Sequence, residues 1–180
     1  MRRRFTVVAM TIALVGGLLG GVLAAGAPDA AAATSGWIRN NNGFCLGIQG
    51  SSQAAGAKAA QGNCAGTPTQ TWHATSLVIH MNGYSYNQFM NGVGWCLGVT
   101  GGSNSAGAVL DQGPCSTTSD HSQFWASINT GGSAPILVNL HSGLVMGVQG
   151  GSTKGGALVV QGPYTGDPSQ IWIMDFSIPV

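Results

Sequence analysis

The sequence predicts an all-β fold of three similar units closed around one axis, and three observations predict it. The first is internal repetition. Aligned on Gly47, Gly98 and Gly147, which lie 51 and 49 residues apart, the chain reads Phe44-Cys45-Leu46-Gly47-Ile48, Trp95-Cys96-Leu97-Gly98-Val99 and Leu144-Val145-Met146-Gly147-Val148. Nine residues after each anchor stands a Gly-Ala pair, at Gly56, Gly107 and Gly156, and fourteen after it a Gln-Gly pair, at Gln61, Gln112 and Gln161. Each unit closes with Q-x-W, from Gln70 to Trp72, Gln123 to Trp125 and Gln170 to Trp172. The second observation is period. Short runs of alternating polarity are separated by turn pairs such as Asn42-Gly43, Asn91-Gly92 and Ser142-Gly143, and no stretch after residue 33 carries a 3.6-residue apolar period. The third is count. A propeller has a similar repeat length but needs at least about four blades, whereas three units of about four short strands suit a β-trefoil. The expected repeats run over about residues 36–80, 81–131 and 132–180.

Residues 1–33 stand apart from this domain. Arg2, Arg3 and Arg4 precede an almost wholly apolar run from Phe5 to Ala25, and Ala31, Ala32 and Ala33 follow as a small-residue cleavage site. This is the pattern of a cleaved secretory signal peptide. The same run is long enough to span a bilayer. Its Gly and Ala content and the alanine tract favour a removed leader. The mature domain is then residues 34–180, secreted and free of the membrane.

Side-chain parity identifies the core. In the anchor strand, residues 44, 46 and 48 share one face, and with their counterparts 95, 97, 99 and 144, 146, 148 they form nine large apolar positions. Trp72, Trp125 and Trp172 recur at one place in each unit and are expected in the same core. Cys45 and Cys64 are 19 residues apart, and so are Cys96 and Cys115. Four cysteines allow three pairings. Repeat symmetry selects Cys45–Cys64 and Cys96–Cys115, two intra-repeat disulfides that an exported chain is able to form. The third unit has Val145 and Tyr164 at these positions, an expected apolar substitute for the bridge.

Charge narrows the partners. After residue 33 only Arg39, Lys58 and Lys154 face Asp111, Asp120, Asp167 and Asp175, a formal balance of −1. That excludes a basic surface that tracks nucleic-acid phosphates or anionic lipid. A covering of Ser, Thr, Asn, Gln and Gly suits neutral, hydroxyl-rich partners such as sugars.

Catalysis finds little support. The chain has no Glu, and its four domain aspartates are scattered over different strands and loops, so nothing forms the carboxylate pair of a glycosidase. Asp120-His121-Ser122 brings triad residue types together only as neighbours in a polar loop, whereas a triad is assembled across a fold. His73, His80, His121 and His141 lack metal-ligand spacing, and no cofactor or nucleotide fingerprint is present. The expectation is a protein with no catalytic residues, metal or cofactor.

Cys-Leu-x-Val, a Gly nine positions on, a second Cys and a closing Q-x-W, all in threefold repetition, resemble the ricin-B lectin family over about residues 36–180. The resemblance implies a carbohydrate-binding β-trefoil with up to one sugar site per unit. It also implies positions for the site. Sugar-binding members place an Asp two residues after the first Cys, here Gly47, Gly98 and Gly147. Their stacking aromatic lies two residues before the second Cys, here Gly62, Gly113 and Gly162. The Asn ahead of the Q-x-W glutamine is Thr69, Ser122 and Ser169. A polar strand residue four before the second Cys is Ala60, Asp111 and Val160. Asp111 alone keeps a carboxylate, so the second unit is the first choice for an altered, weak sugar site.

Gln61, Gln112 and Gln161 fall on the core face by parity. Repetition favours buried amides tying backbone groups, and the alternative turns them toward a ligand. Gln70, Gln123 and Gln170 carry the same two readings. Tyr84, Tyr86 and Phe89 either offer an aromatic platform beside Asp111 or cover the base of the trefoil. The alternative function is a trefoil that has lost sugar binding and acts as a protein-interaction or inhibitor module, through an apolar patch around Tyr84 to Phe89.

Overall fold

Turn-forming residues interrupt the apolar runs at matching places, so each repeat becomes four strands. The computed structural model describes residues 34–179 apart from 118 and 133; the expected leader, residues 1–33, lies outside them. The first unit contributes β1 (Thr34–Asn40), β2 (Cys45–Ile48), β3 (Ala59–Gly62) and β4 (Trp72–Met81). The second contributes β5 (Tyr84–Asn91), β6 (Cys96–Val99), β7 (Leu110–Gly113) and β8 (Phe124–Ile128). The third contributes β9 (Ile136–Asn139), β10 (Val145–Val148), β11 (Val159–Gly162) and β12 (Trp172–Pro179). Among the described residues no helix is long and apolar enough to cross a membrane.

Six strands make a barrel. β1 pairs with β12 and β4, β4 with β5, β5 with β8 and β8 with β9. The backbone N–H of Trp172 donates to the carbonyl of Pro135 at 3.0 Å and brings β12 against the start of β9. The other six strands form three hairpins in one register. Leu46 faces Gln61, Leu97 faces Gln112 and Met146 faces Gln161, while Gly47 faces Ala60, Gly98 faces Asp111 and Gly147 faces Val160. Alternation then turns the first set of pairs inward and the second set outward.

The core contains Leu46, Ile48, Leu97, Val99, Met146 and Val148 around the three Q-x-W tryptophans. Trp72, Trp125 and Trp172 are fully buried, and burial demands a partner for each indole N–H. Each donates to the carbonyl of an anchor-strand residue, Leu46 at 3.0 Å, Leu97 at 3.2 Å and Met146 at 3.1 Å. The parity reading holds for two positions of each triple. Phe44, Trp95 and Leu144 precede their strands and are only half-buried. Trp95 instead donates its indole N–H to the Gln53 carbonyl at 2.8 Å, across a unit boundary.

The units are joined by the Gln and Gly-Ala positions that recur in the sequence. Gln61, Gln112 and Gln161 are at most 1% exposed. Each Nε2 donates to two carbonyls of a neighbouring unit: Gln61 to Ser152 and Lys154, Gln112 to Ser52 and Ala54, Gln161 to Ser103 and Ser105, all within 2.7–3.1 Å. Each Oε1 accepts inside its own unit, from Asn40 Nδ2, from Asn91 Nδ2 at 2.7 Å and from Ser142 Oγ at 2.8 Å. The backbones join as well. Gly56, Gly107 and Gly156 donate to the carbonyls of Gln112, Gln161 and Gln61 at 2.6–2.7 Å. These glycines stand at φ of 78° to 84°, the left-handed region that an L side chain rarely adopts, which explains why glycine recurs there. The ligand-facing alternative for Gln61, Gln112 and Gln161 is therefore not the one the fold adopts, because every amide is spent within the protein.

Asn40 and Asn91 also build the turns into the anchor strands. Asn40 Oδ1 accepts from the N–H of Asn42 and Phe44 at 3.0 and 3.1 Å, and Asn91 Oδ1 accepts from Val93 and Trp95 at the same distances. The third turn is one residue longer, which moves Asn139 out of step and leaves Ser142 to reach Gln161.

Both expected disulfides form, Cys45–Cys64 with Cα atoms 5.1 Å apart and Cys96–Cys115 with 4.9 Å. The third unit departs from expectation. Val145 is buried, but Tyr164 is 44% exposed and does not act as an apolar plug.

Candidate functional site

The candidate site is the outward face of each hairpin, built from short side chains over a glutamine floor. Gly47, Ala60 and Gly62 share that face in the first unit, Gly98, Asp111 and Gly113 in the second, and Gly147, Val160 and Gly162 in the third. The Q-x-W glutamine of each unit crosses beneath. Gln70 Oε1 accepts from the Ala65 N–H, Gln123 Oε1 from Ser116 and Gln170 Oε1 from Thr165, each at 2.8 Å. Their Nε2 groups donate to the carbonyls of Asn63, Pro114 and Pro163 at 2.7–2.9 Å. The glutamine thus pins the loop that follows each hairpin.

This floor gives a physical reason for the first glycine. A Cβ on Gly47, Gly98 or Gly147 would lie 2.6, 2.9 or 3.0 Å from the Cγ of Gln70, Gln123 or Gln170. The glutamine stem occupies the space where an aspartate would begin. The scaffold reading of Gln70, Gln123 and Gln170 agrees with these bonds, yet Gln70 and Gln170 also line open clefts.

Two such clefts are well defined. In the first unit, Gly47, Ser51, Ala60, Gly62 and Gln70 border about 200 Å³, and Gln61 contributes to the floor although its amide is committed elsewhere. In the third, Gly147, Gly151, Gly162, Thr165, Asp167 and Gln170 border about 150 Å³.

Asp167 is a cleft residue that the sequence reading missed. It caps the short 3-10 turn Pro168–Gln170, with Oδ1 accepting from the Ser169 N–H at 2.8 Å. Its Oδ2 lies 3.3 Å from where a Cβ on Gly151 would stand, so the carboxylate sits beside Gly151 in the cleft. The bonds from Ser169 hold this exposed carboxyl below the usual carboxylate range. Asp120 occupies the matching place three residues before Gln123 and caps its turn through Ser122 at 3.0 Å. That repeated spacing was the available signal, and the first unit breaks it with Thr67.

Asp111 sits half-buried in β7, directly across from Gly98, and accepts a bond from Thr100. Burial pushes its carboxyl above the usual range, against the smaller opposing effect of the Thr100 bond. A carboxyl with a raised folded pKa binds its proton more tightly when folded. It therefore costs stability at neutral pH, and the cost vanishes as pH falls below its unfolded value. Asp111→Asn is expected to raise the unfolding free energy at pH 7, by below about 1 kcal/mol because water still reaches the group, read as a higher denaturant midpoint. The gain should disappear in unfolding curves taken near pH 3.

The aromatic platform beside Asp111 does not assemble. Phe89 belongs to the core and meets Phe176 at a ring separation of 6.0 Å. Tyr86 joins a second apolar cluster with Phe124 and Ala126. Tyr84 stays exposed with Met81, flanking the Asn82-Gly83 turn between β4 and β5. Of the three aromatics in the patch expected for a protein partner, Tyr84 is the one that stays exposed.

A closed trefoil with a shallow cleft on the outer face of its hairpins is a lectin-type scaffold. The chain belongs to the ricin-type β-trefoil lectin domain family, whose profile matches residues 34–172. Among solved structures it resembles the designed threefold-symmetric protein ThreeFoil, at 28% identity and a TM-score of 0.70 over 78% of this chain and 98% of that one. The exo-β-1,3-galactanase 1,3Gal43A from Clostridium thermocellum is 23% identical with a TM-score of 0.66, over 85% of this chain but 31% of the galactanase. The C-half of the earthworm R-type lectin, solved with GalNAc, is 16% identical with a TM-score of 0.58, over 79% of this chain and 98% of that one. No curated protein sequence matches the chain.

Proposed function

We propose that this chain is a secreted carbohydrate-binding module whose sugar sites are altered and weak, with its principal site in the cleft of the third unit. The observation that carries this reading is Asp167. It brings an ionised acceptor into the hairpin cleft from the opposite wall, where the strand position offers only Gly147. Gln170 and Thr165 supply further polar groups in the same cleft. Asp111 is the second candidate, at the edge of the second unit.

Weakness follows from what the clefts lack. An acceptor on the strand and a stacking ring are each worth roughly 1–3 kcal/mol. Their loss leaves affinities of about millimolar. The leader and the two disulfides support export. Galactosides are the first probes, because two structural neighbours are a galactanase and a lectin bound to GalNAc.

Titration of the oxidised chain with galactose, lactose and GalNAc tests the site. Asp167→Asn should weaken binding about tenfold, because it removes a charge-assisted acceptor. Binding that survives Asp167→Asn and disappears in Asp111→Ala would move the site to the second unit. Capture of a protein ligand through Met81 and Tyr84, with no sugar response, would instead favour an interaction module.

A further inference from the structure

The threefold pattern breaks at a position that the hairpin clefts do not use. Where the first two units carry Cys64 and Cys115, held to Cys45 and Cys96, the third carries Tyr164. With no bridge to hold it over β10, the residue turns outward. Its hydroxyl lies 3.2 Å from Thr130 Oγ1, which fixes the far end of the ring. The ring is 44% exposed, one of four large hydrophobic side chains with substantial exposure among the described residues.

Tyr164 does not stand alone on the surface. With Asn41, Thr130, Gly131 and Ile171 it lines a cleft of about 390 Å³, larger than either hairpin cleft. Asn41 comes from the first unit, Thr130 and Gly131 from the end of the second, and Tyr164 and Ile171 from the third, so the cleft lies where the three units meet. The Asn41 N–H donates to the Ile171 carbonyl at 3.1 Å, which sets the distance between its two walls. The volume is within the roughly 300–1,000 Å³ typical of small-ligand sites. Its described lining holds amide, hydroxyl and aromatic groups and no charged side chain.

We infer that this cleft is a separate glycan site, in which Tyr164 stacks on the apolar face of a neutral pyranose and Asn41 and Thr130 meet its hydroxyls. The chemistry matches such a ligand on three counts. A tyrosine ring held at its hydroxyl presents a fixed apolar face at little entropic cost. The neighbouring amide and hydroxyl supply both donors and acceptors. The absence of charge from the lining disfavours phosphate, carboxylate and basic peptide ligands. The inference rests on the reading of the chain as a carbohydrate-binding module, but it names a site away from the hairpin faces. Tyr164 borders this cleft and Thr165 borders the third hairpin cleft. One loop therefore separates the two, and a chain of several sugars has both within reach of it.

The test uses the oxidised full chain labelled with fluorotyrosine. The sequence has three tyrosines, Tyr84, Tyr86 and Tyr164, so each ring gives one assignable ¹⁹F resonance. Lactose and soluble xylan are the probes. The Tyr164 resonance should shift on titration while that of Tyr84 stays in place. Tyr164→Ala should weaken xylan binding at least about tenfold with the thermal midpoint unchanged, because a chain that uses both clefts loses one of them, and Tyr164→Phe should stay within about threefold, because the ring remains. Asp167→Asn should leave the Tyr164 shift intact. If Tyr164 does not respond while binding is lost in Asp167→Asn, this inference fails and the hairpin site stands. If Tyr164→Ala binds xylan with wild-type affinity, the inference also fails. If equilibrium titration detects no binding of lactose or xylan at high concentration, both readings fall together.

Discussion

Replacing Gln112 by alanine is expected to remove about 3–5 kcal/mol of folding free energy, a larger loss than at any cleft residue. The substitution deletes three hydrogen bonds at once. It strands the buried Asn91 amide in its own unit, empties the space that the buried side chain fills, and cuts the tie to the Ser52 and Ala54 carbonyls of the neighbouring unit. Each unsatisfied buried group carries a desolvation penalty of roughly 1–3 kcal/mol. For a domain of this size each kcal/mol shifts the midpoint by about 2–4 °C, so thermal unfolding should begin about 10 °C lower. Gln61→Ala and Gln161→Ala should behave alike, because the same bonds recur around the axis. Circular dichroism melts of the three variants check this. A glutamine that served a ligand would show the opposite pattern, with weakened sugar binding and an unmoved midpoint.

The disulfides should be the next largest contributors. Each closes a short loop within one hairpin unit, with a sequence separation of 19. The chain-entropy argument assigns about 3 kcal/mol to a loop of that length. Reduction of both bonds therefore removes about 6 kcal/mol, a large share of the roughly 5–15 kcal/mol that holds a domain together. Urea unfolding with and without reductant measures it. Cys45→Ala with Cys64→Ala, and Cys96→Ala with Cys115→Ala, should each account for about half. A loss below about 1 kcal/mol for either pair would show that the unfolded chain gains little freedom when the loop opens.

Much of this fold was legible because each unit repeats its own evidence. The anchor-strand pairs Leu46 and Ile48, Leu97 and Val99, Met146 and Val148 follow from alternation, and the Q-x-W tryptophans from their recurrence in every unit. The cysteine pairing followed from equal spacing. Other features depend on neighbours that no local pattern exposes. Phe44, Trp95 and Leu144 keep the parity of core residues, yet they lie outside their strands, and Trp95 hydrogen-bonds with a loop of the preceding unit. Asn40 and Asn91 resemble surface turn residues and are buried, because each serves a turn with its oxygen and a glutamine with its amide. Tyr164 occupies a cysteine position in the repeat, and a frame-based reading makes it a plug. In the fold no disulfide holds it to β10, and its hydroxyl meets Thr130 instead.

The site was less legible than the scaffold for a related reason. Comparison with the family pattern showed what Gly47, Gly98 and Gly147 lack, but not what fills the space. The glutamine stems do so, and that is a contact between distant segments. Asp167 escaped notice because its carboxylate reaches the cleft from the turn before Q-x-W instead of from the strand. Asp111 was placed correctly on the outward face, since period-two alternation decides that from the sequence.

The most direct measurement of the central claim is equilibrium binding of the oxidised wild-type chain to a broad panel of neutral glycans, galactosides, xylans and microbial wall polysaccharides included. The account predicts a saturable response to at least one of them at about millimolar concentration, as expected of shallow sites short of a stacking ring and a strand carboxylate. A flat response across the whole panel at that concentration would contradict it.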